Sequence, residues 1–585
     1  MSSEWDMRRG CDATSRGTRH THRVRGVSSD RSRPVNDRSG SLRENTSSLR
    51  GWASSWLWGS GVLSLRAVPL PLTERSTYPR HDATVGFLVA VSGRYHRRGA
   101  MIAAITLPSI VVSMDFSVLN LALPKISTSL GLDGVQQLWV VDTYGLFIAA
   151  LLVPAGSLVD SIGARRTLVW GCFAFALVSA ASAFSPSGEL LIASRGLLGC
   201  VGATLMPATL ALVRQSFPAG RERTRALAAW SAGFAGGGIA GPLLAGVLLA
   251  NMWWGAVFLV NVPVMLVVVL MVMTSFRVVV RGTARPVDAA SVLLLIVGGI
   301  AILFSIKQVF ADPGSWPVYV PTSMVALSSL WILVRRQRRL AVPLVDLRLL
   351  RHPLLRFGVG VNSATVFAVL GVGFFIPQIF ELVMGYGPLQ SAGLMIPAAF
   401  ALIIGTSLAS RVRERWTLEA HILVGAVGVV AGVLLLLLVR VDGTAWLISS
   451  AYSLQSFGFG VISVVTVDAV LGSVPSDAAG VASGVSETGG ELGGALGTSV
   501  LGSVALAVYR WIGTGSSTLR STASERAHAR AGLAEALLDP GLLGSRAELQ
   551  NAYLTGVQAA ALAAVAVMLI VVIAVIRRRW RLRRV

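Results

Sequence analysis

The chain has 585 residues, 53% hydrophobic and only 14% charged, with 51 Lys plus Arg against 29 Asp plus Glu and a net charge of +22. A soluble domain carries about 25% charged residues, so this composition, with a mean hydropathy of +0.66, excludes a soluble globular protein. The basic excess does not imply nucleic acid, because the arginines sit in short loops between apolar stretches rather than on one face; their electrostatic partner is the anionic cytoplasmic leaflet.

Residues 1–98 are rich in Arg, Ser, Asp and Thr, with an apolar patch at Trp52–Leu72 that is interrupted and too short to span a bilayer. They read as a basic, disordered tail or as upstream sequence added by a misplaced start, with Arg94, Arg97 and Arg98 flanking the first helix. Fourteen stretches long and apolar enough to cross follow, at about 100–123, 136–157, 167–185, 188–211, 226–248, 253–275, 288–306, 318–334, 355–378, 390–410, 419–439, 444–470, 479–509 and 551–576.

Alternate loops carry the arginines: Arg165 and Arg166; Arg214, Arg221, Arg223 and Arg225; Arg277, Arg281 and Arg285; Arg335 through Arg356; Arg411, Arg413 and Arg415; and the tail from Arg577. The opposite loops hold little beyond Lys125, Lys307 and Arg440, so both termini are expected in the cytoplasm. One of these opposite loops is long, about 510–550, and its segment Ala523–Leu538 reads as a helix lying at the interface, a cap, or an ordinary solvated helix.

Three cysteines (Cys11, Cys172, Cys200) form no CxxC pair. The seven histidines fall in the tail, in loops or at a helix edge, so no intramembrane metal site and no His-based triad is expected. Neither lysine follows a Gly-rich loop, which removes a Walker A site. No cofactor, no metal and no enzymatic activity are expected.

What remains is charge at membrane depth, which costs roughly 3 kcal/mol per group even on the mildest scale and so marks function. Asp115 lies mid-span in the first stretch; Asp142 and Arg195 enter the second and fourth spans and reach comparable depth at about 1.5 Å per residue. An Asp115–Arg195 ion pair would offset both burials and would break on protonation, which makes the three residues a proton-coupling group. Asp142 lies shallowest and reads equally well as a snorkelling rim residue. Glu487 and Glu491 share one face of the thirteenth span as a proton or cation site, with Gly489, Gly493 and Gly497 as an adjacent packing stripe. Asp346, Glu381, Asp468 and Asp477 lie near span ends and read as interfacial. Trp139, Tyr144, Phe147, Tyr452 and Phe457 are candidate cavity aromatics, although at helical spacing such residues are more often core or lipid-facing. Gly237, Gly241 and Ala245 recur every four residues, a seam for close helix packing, and Pro242 permits a bend.

Several of these residues belong to recognisable motifs. Gly156-Ser-Leu-Val-Asp160-Ser-Ile-Gly163-Ala-Arg165-Arg166 resembles motif A of the major facilitator superfamily, lacking its basic residues at Ser161 and Ala164. Arg195-Gly-Leu-Leu-Gly199 is similar to motif B, with Leu198 in place of the common Gln. Gly237-Gly-Ile-Ala-Gly241-Pro242-Leu-Leu-Ala-Gly246 is similar to the antiporter motif C, with Ala245 in place of Gly. Met114–Pro124, Phe258–Pro263 and Ser486–Gly494 resemble signatures of the fourteen-helix drug:proton antiporter branch.

The resemblance runs from about residue 100 to the end. It implies an all-α major facilitator fold of 6+2+6 helices: a bundle over 99–275, a two-helix insert over 276–340, a second bundle over 341–576 and a basic tail over 577–585. It further implies a cytoplasmic gate at Gly156, Asp160, Gly163, Arg165 and Arg166, and an antiport seam at Gly237, Gly241, Pro242 and Gly246. The expected function is proton-coupled export of amphipathic toxic compounds, cationic ones favoured, by a monomeric multi-pass protein of the cytoplasmic membrane whose partners are a small-molecule substrate, protons and lipid. Export of one dedicated antibiotic or metabolite, uptake by symport, and a non-transporting membrane receptor remain as alternatives.

Overall fold

The computed structural model describes residues 80–218, 220–276, 288–311, 314–340, 351–474, 479–515 and 523–582. The apolar patch at Trp52–Leu72, Asp346, Asp477 and several loop arginines lie outside them. The described residues of the membrane-embedded unit form helices joined by turns, with no strand among them, and all fourteen expected spans are present: Arg98–Leu130, Gly134–Ile162, Ala164–Ala183, Gly188–Ser216, Arg221–Asn251, Ala256–Ser275, Ala289–Ala311, Trp316–Gln337, Pro353–Val383, Pro388–Val412, Leu418–Leu438, Ala445–Gly472, Ala482–Gly513 and Arg546–Arg581, here called spans 1 to 14. The helix of span 1 reaches back to Arg80, inside the stretch expected as tail.

Local chemistry sets the ends. Gly131 takes φ 64, a conformation that disfavours side chains, and turns the chain sharply after span 1. Asp133 then caps span 2, accepting from the Gln136 amide at 2.6 Å while the Gln136 side chain accepts from the Asp133 amide at 3.1 Å. Span 6 breaks at Val260 between Ala256–Leu259 and Asn261–Ser275, where Pro263 cannot donate to the preceding turn.

The packing repeats. Spans 1 and 5, 2 and 4, and 3 and 6 pair in the first half; spans 9 and 13, 10 and 12, and 11 and 14 pair correspondingly in the second. The halves meet where span 2 lies on span 13 and span 5 on span 10, again corresponding positions. This is the arrangement of two parallel repeats about an axis along the membrane normal. Spans 7 and 8 stand outside the repeat as a hairpin, tied by Arg336 to Asp288 at 2.7 Å, and span 7 lies against spans 2 and 13.

The segment Ala523–Leu538 forms two short helices, Ala523–Ala531 and Leu533–Ala536. Leu533, Ala534 and Ala536 are buried against the ends of spans 1 and 14 while Ala523–Ala531 packs on span 13, so of the three readings of this loop the cap is the one observed. The end carrying it is called the cap end below, and the opposite one the arginine-rich end.

Candidate functional site

Asp115 and Arg195 meet at the centre of the first half, with Arg195 Nη1 2.5 Å from Asp115 Oδ2 and both side chains buried. The Asn261 amide donates to Asp115 Oδ1 at 3.0 Å, and Arg195 Nε donates to the Val140 carbonyl at 3.4 Å. The guanidinium lies over the Tyr144 ring at 4.3 Å, and Tyr144 donates to the Val112 carbonyl. Each charge therefore has an opposite charge and additional dipoles, which is what a buried pair needs to persist. Asn261 carries no role in the sequence reading; its place in the Phe258–Pro263 motif was the available signal, and the break at Val260 is what turns it inward.

Glycine makes this meeting possible. A Cβ on Gly199 would lie 2.6 Å from the Tyr144 carbonyl oxygen, and one on Gly196 would touch Thr143 at 3.2 Å. Motif B thus lets span 4 lie directly on span 2, carrying Arg195 to Tyr144. Span 5 uses motif C in the same way: Gly237 and Gly241 face Ile110 and Ser117 of span 1, with backbone contact. Gly246, one turn beyond Pro242, faces span 10, where a Cβ would lie 2.8 Å from Ala392 Cβ. Motif C therefore packs within the first half and, at its cap end, across to the second.

Asp142 does not join Asp115, as their shared depth suggested, and does not snorkel. It is 1% exposed and pairs at 2.9 Å with Lys307, itself 2% exposed. Thr498 and Ser499 of span 13 donate their hydroxyls to its two oxygens, and the Lys307 ammonium sits 3.7 Å over the Trp139 ring. The sequence reading placed Lys307 in a loop because hydropathy ends the apolar run at about residue 306; the helix continues to Ala311, and Asp142 is the reason it can. Lys125 is likewise helical, donating to the Leu249 carbonyl at the end of span 5 at 2.5 Å.

Glu487 and Glu491 differ from both aspartates. Glu487 is exposed and Glu491 half-buried, and neither has a hydrogen bond or ion pair among the described residues. The Glu491 carboxylate faces span 2, where a Cβ on Gly145 would lie 3.6 Å from Oε2. Gly489, Gly493 and Gly497 pack on span 9 at Ser363 and Phe367, which holds span 13 to its own half. Trp139 and Tyr144 are committed to the protein's own cations, whereas the Phe457 backbone packs on Gly405.

At the arginine-rich end, Gly163 takes φ 96 between spans 2 and 3, and Arg165 donates to the Met273 carbonyl at 2.9 Å. Asp160 and Arg166 are exposed there, and Asp468, half-buried, pairs with the exposed Arg413 at 2.6 Å. Glu381 is only partly exposed, with its Oε1 enclosed and unpartnered, deeper than the interfacial position expected of it. Below the cap lies a cleft lined by Leu138, Phe375, Gln378, Tyr509, Leu533 and Tyr553.

Comparison with known proteins agrees with this geometry. Residues 105–498 match the Major Facilitator Superfamily. The chain belongs to that superfamily. Among its relatives, the multidrug efflux pump LfrA of Mycolicibacterium smegmatis is 34% identical over 71% of this chain and 82% of its own length. The methyl viologen resistance protein SmvA of Salmonella typhimurium is 33% identical over 52% of this chain and 62% of its own. The tetracenomycin C resistance and export protein of Streptomyces glaucescens is 28% identical over 69% and 75%. In fold, the chain is similar to a bacterial homolog of the human lysosomal transporter Spinster in an inward-facing, occupied conformation, with a TM-score of 0.57 and 16% identity over 82% of this chain and 96% of that one. As a member of this superfamily with fourteen spans, the protein is a multi-pass transporter of small molecules in the cytoplasmic membrane, not an enzyme.

Proposed function

We propose that this transporter exports amphipathic, cationic toxic compounds in exchange for protons, with both termini and the arginine-rich end in the cytoplasm. The observation that carries the reading is a contrast among the membrane-depth carboxylates: two aspartates closed by internal cations, and two glutamates on span 13 with no cation of their own among the described residues. Unneutralised carboxylates facing the seam between halves are suited to a cationic guest, while the Asp115–Arg195 pair is suited to a proton, which would dissolve it. Relatives named for multidrug efflux and for methyl viologen resistance support the cationic cargo. Relatives named for single antibiotics, methylenomycin A and tetracenomycin C, favour a second reading, one dedicated substrate on the same plan.

The test is dye accumulation in everted vesicles under an imposed pH gradient. Exchange predicts uptake of a lipophilic cation that is driven by an acidic interior and abolished by an uncoupler. Uptake indifferent to the gradient would remove proton coupling; binding without uptake would leave the receptor reading.

A further inference from the structure

Span 7 is for the most part lipid-facing, with Leu293, Val297, Ile300 and Ile302 exposed, so it has little reason to keep a lysine. Lys307 nevertheless projects inward to Asp142, at a point where three parts of the molecule converge: span 2 of the first half, span 13 of the second, and the insert. One turn away toward the arginine-rich end the same three parts meet through Leu146, Leu303 and Ala495, and Gly299 lets span 7 settle on Leu146. One turn toward the cap end, Leu138 packs into the notch left by Gly502, closing the cap end of the seam.

We propose that Lys307 is a positioning residue of the transport cycle: held by the insert, it pairs with Asp142 and keeps it engaged with Thr498 and Ser499, and so keeps spans 2 and 13 closed at the cap end. Charge-assisted hydrogen bonds are about twice as strong as neutral ones, so the ion pair also strengthens the contact between halves. When the halves part at the cap end, Asp142 loses both hydroxyls while Lys307 stays to pair with it, which prevents a bare buried charge in the open state. The insert is then a working strap across the seam rather than a peripheral addition. The geometric part of this inference is independent of cargo and of protons; its consequence for export rests on the proposed function.

The experiment uses purified full-length protein in detergent, with the native cysteines replaced and Leu138→Cys as reporter of the seam, read by the rate of maleimide labelling. Weakening two charge-assisted hydrogen bonds by about half lowers closure enough to raise the open fraction by about tenfold. Lys307→Met should raise the labelling rate by at least that factor, and Lys307→Arg should return it to near the parent rate. If Lys307→Met does not fold, the Asp142→Asn/Lys307→Met double variant carries the same reading, because it leaves no buried charge. Labelling within twofold of the parent in the folded variant overturns the proposal, as does equal acceleration by Lys307→Arg. The same variants assayed for dye export in vesicles separate the two claims. A parent that labels slowly yet shows no pH-driven uptake would refute the exporter reading alone, whereas unchanged labelling with intact uptake would refute only the strap.

Discussion

The two aspartates lie on spans 1 and 2 of the first half and the two glutamates on span 13 of the second, and the protein treats them in opposite ways. Asp115 and Asp142 are each closed by a cation, by neutral donors and by an aromatic ring under that cation. Glu487 and Glu491 have neither cation nor donor among the described residues, and the first is exposed. Burial of a charge without a partner is expensive, so a fold neutralises the charges it uses to hold itself together. Charges it leaves open are free to meet a transported species. On the proposed function, the aspartates serve conformation and the glutamates cargo.

The comparison can be broken most severely at Arg195. Arg195→Ala leaves Asp115 buried without its cation and should cost about 3–5 kcal/mol, enough to lower folded yield sharply by size-exclusion fluorescence. Adding Asp115→Asn should recover folding but not transport. A milder break is Gly199→Leu: its side chain would enter the 2.6 Å approach to the Tyr144 carbonyl, push span 4 from span 2 and withdraw Arg195 without removing any charge. Overpacking of this kind costs about 1–3 kcal/mol and should lower both melting temperature and export.

On the cargo side, substitution should spare the fold. Glu487→Gln, at the accessible carboxylate, should lower efflux of monovalent and divalent cationic dyes alike, with melting temperature unchanged. Glu491→Gln should act mainly on the divalent dye, which gains from two carboxylates about 6 Å apart along the helix. Equal, small effects of both on both dyes would make the pair a packing feature.

The smallest effect is expected at the rim of the insert. The Arg336 guanidinium and Ser291 hold the Asp288 carboxyl down to about 2 from its usual 3.8. A depressed folded value means the contribution is present at neutral pH and is lost as pH falls from about 4 through about 2. Asp288→Asn should therefore lower the melting temperature slightly at pH 7, and the gap from the parent should close in that acid window.

Much of this was legible in the sequence because membrane helices are written in hydropathy. All fourteen spans and the depth match of Asp115 with Arg195 follow from apolar length and a 1.5 Å rise, whereas the motif glycines were legible through the family resemblance. Lys307 was not legible, since it stands beside Gln308 at the end of an apolar run, where hydropathy closes the helix, and only a partner on another span shows that the helix goes on. Asn261 was visible as part of a motif, but its role depends on a local break that turns it toward Asp115. The cap was ambiguous because an Ala/Glu/Arg/Leu helix has no intrinsic docking site; burial of Leu533 and Ala536 against the span ends decides it.

The central claim is that a proton acts on the paired aspartate and the cargo on the open glutamates. Its most direct test is Asp115→Asn in everted vesicles, a change that mimics the protonated side chain while keeping its size. The account predicts that the variant folds and still binds the dye in detergent, but accumulates none above the level seen without a pH gradient. Accumulation equal to the parent, driven by the same gradient, would contradict it.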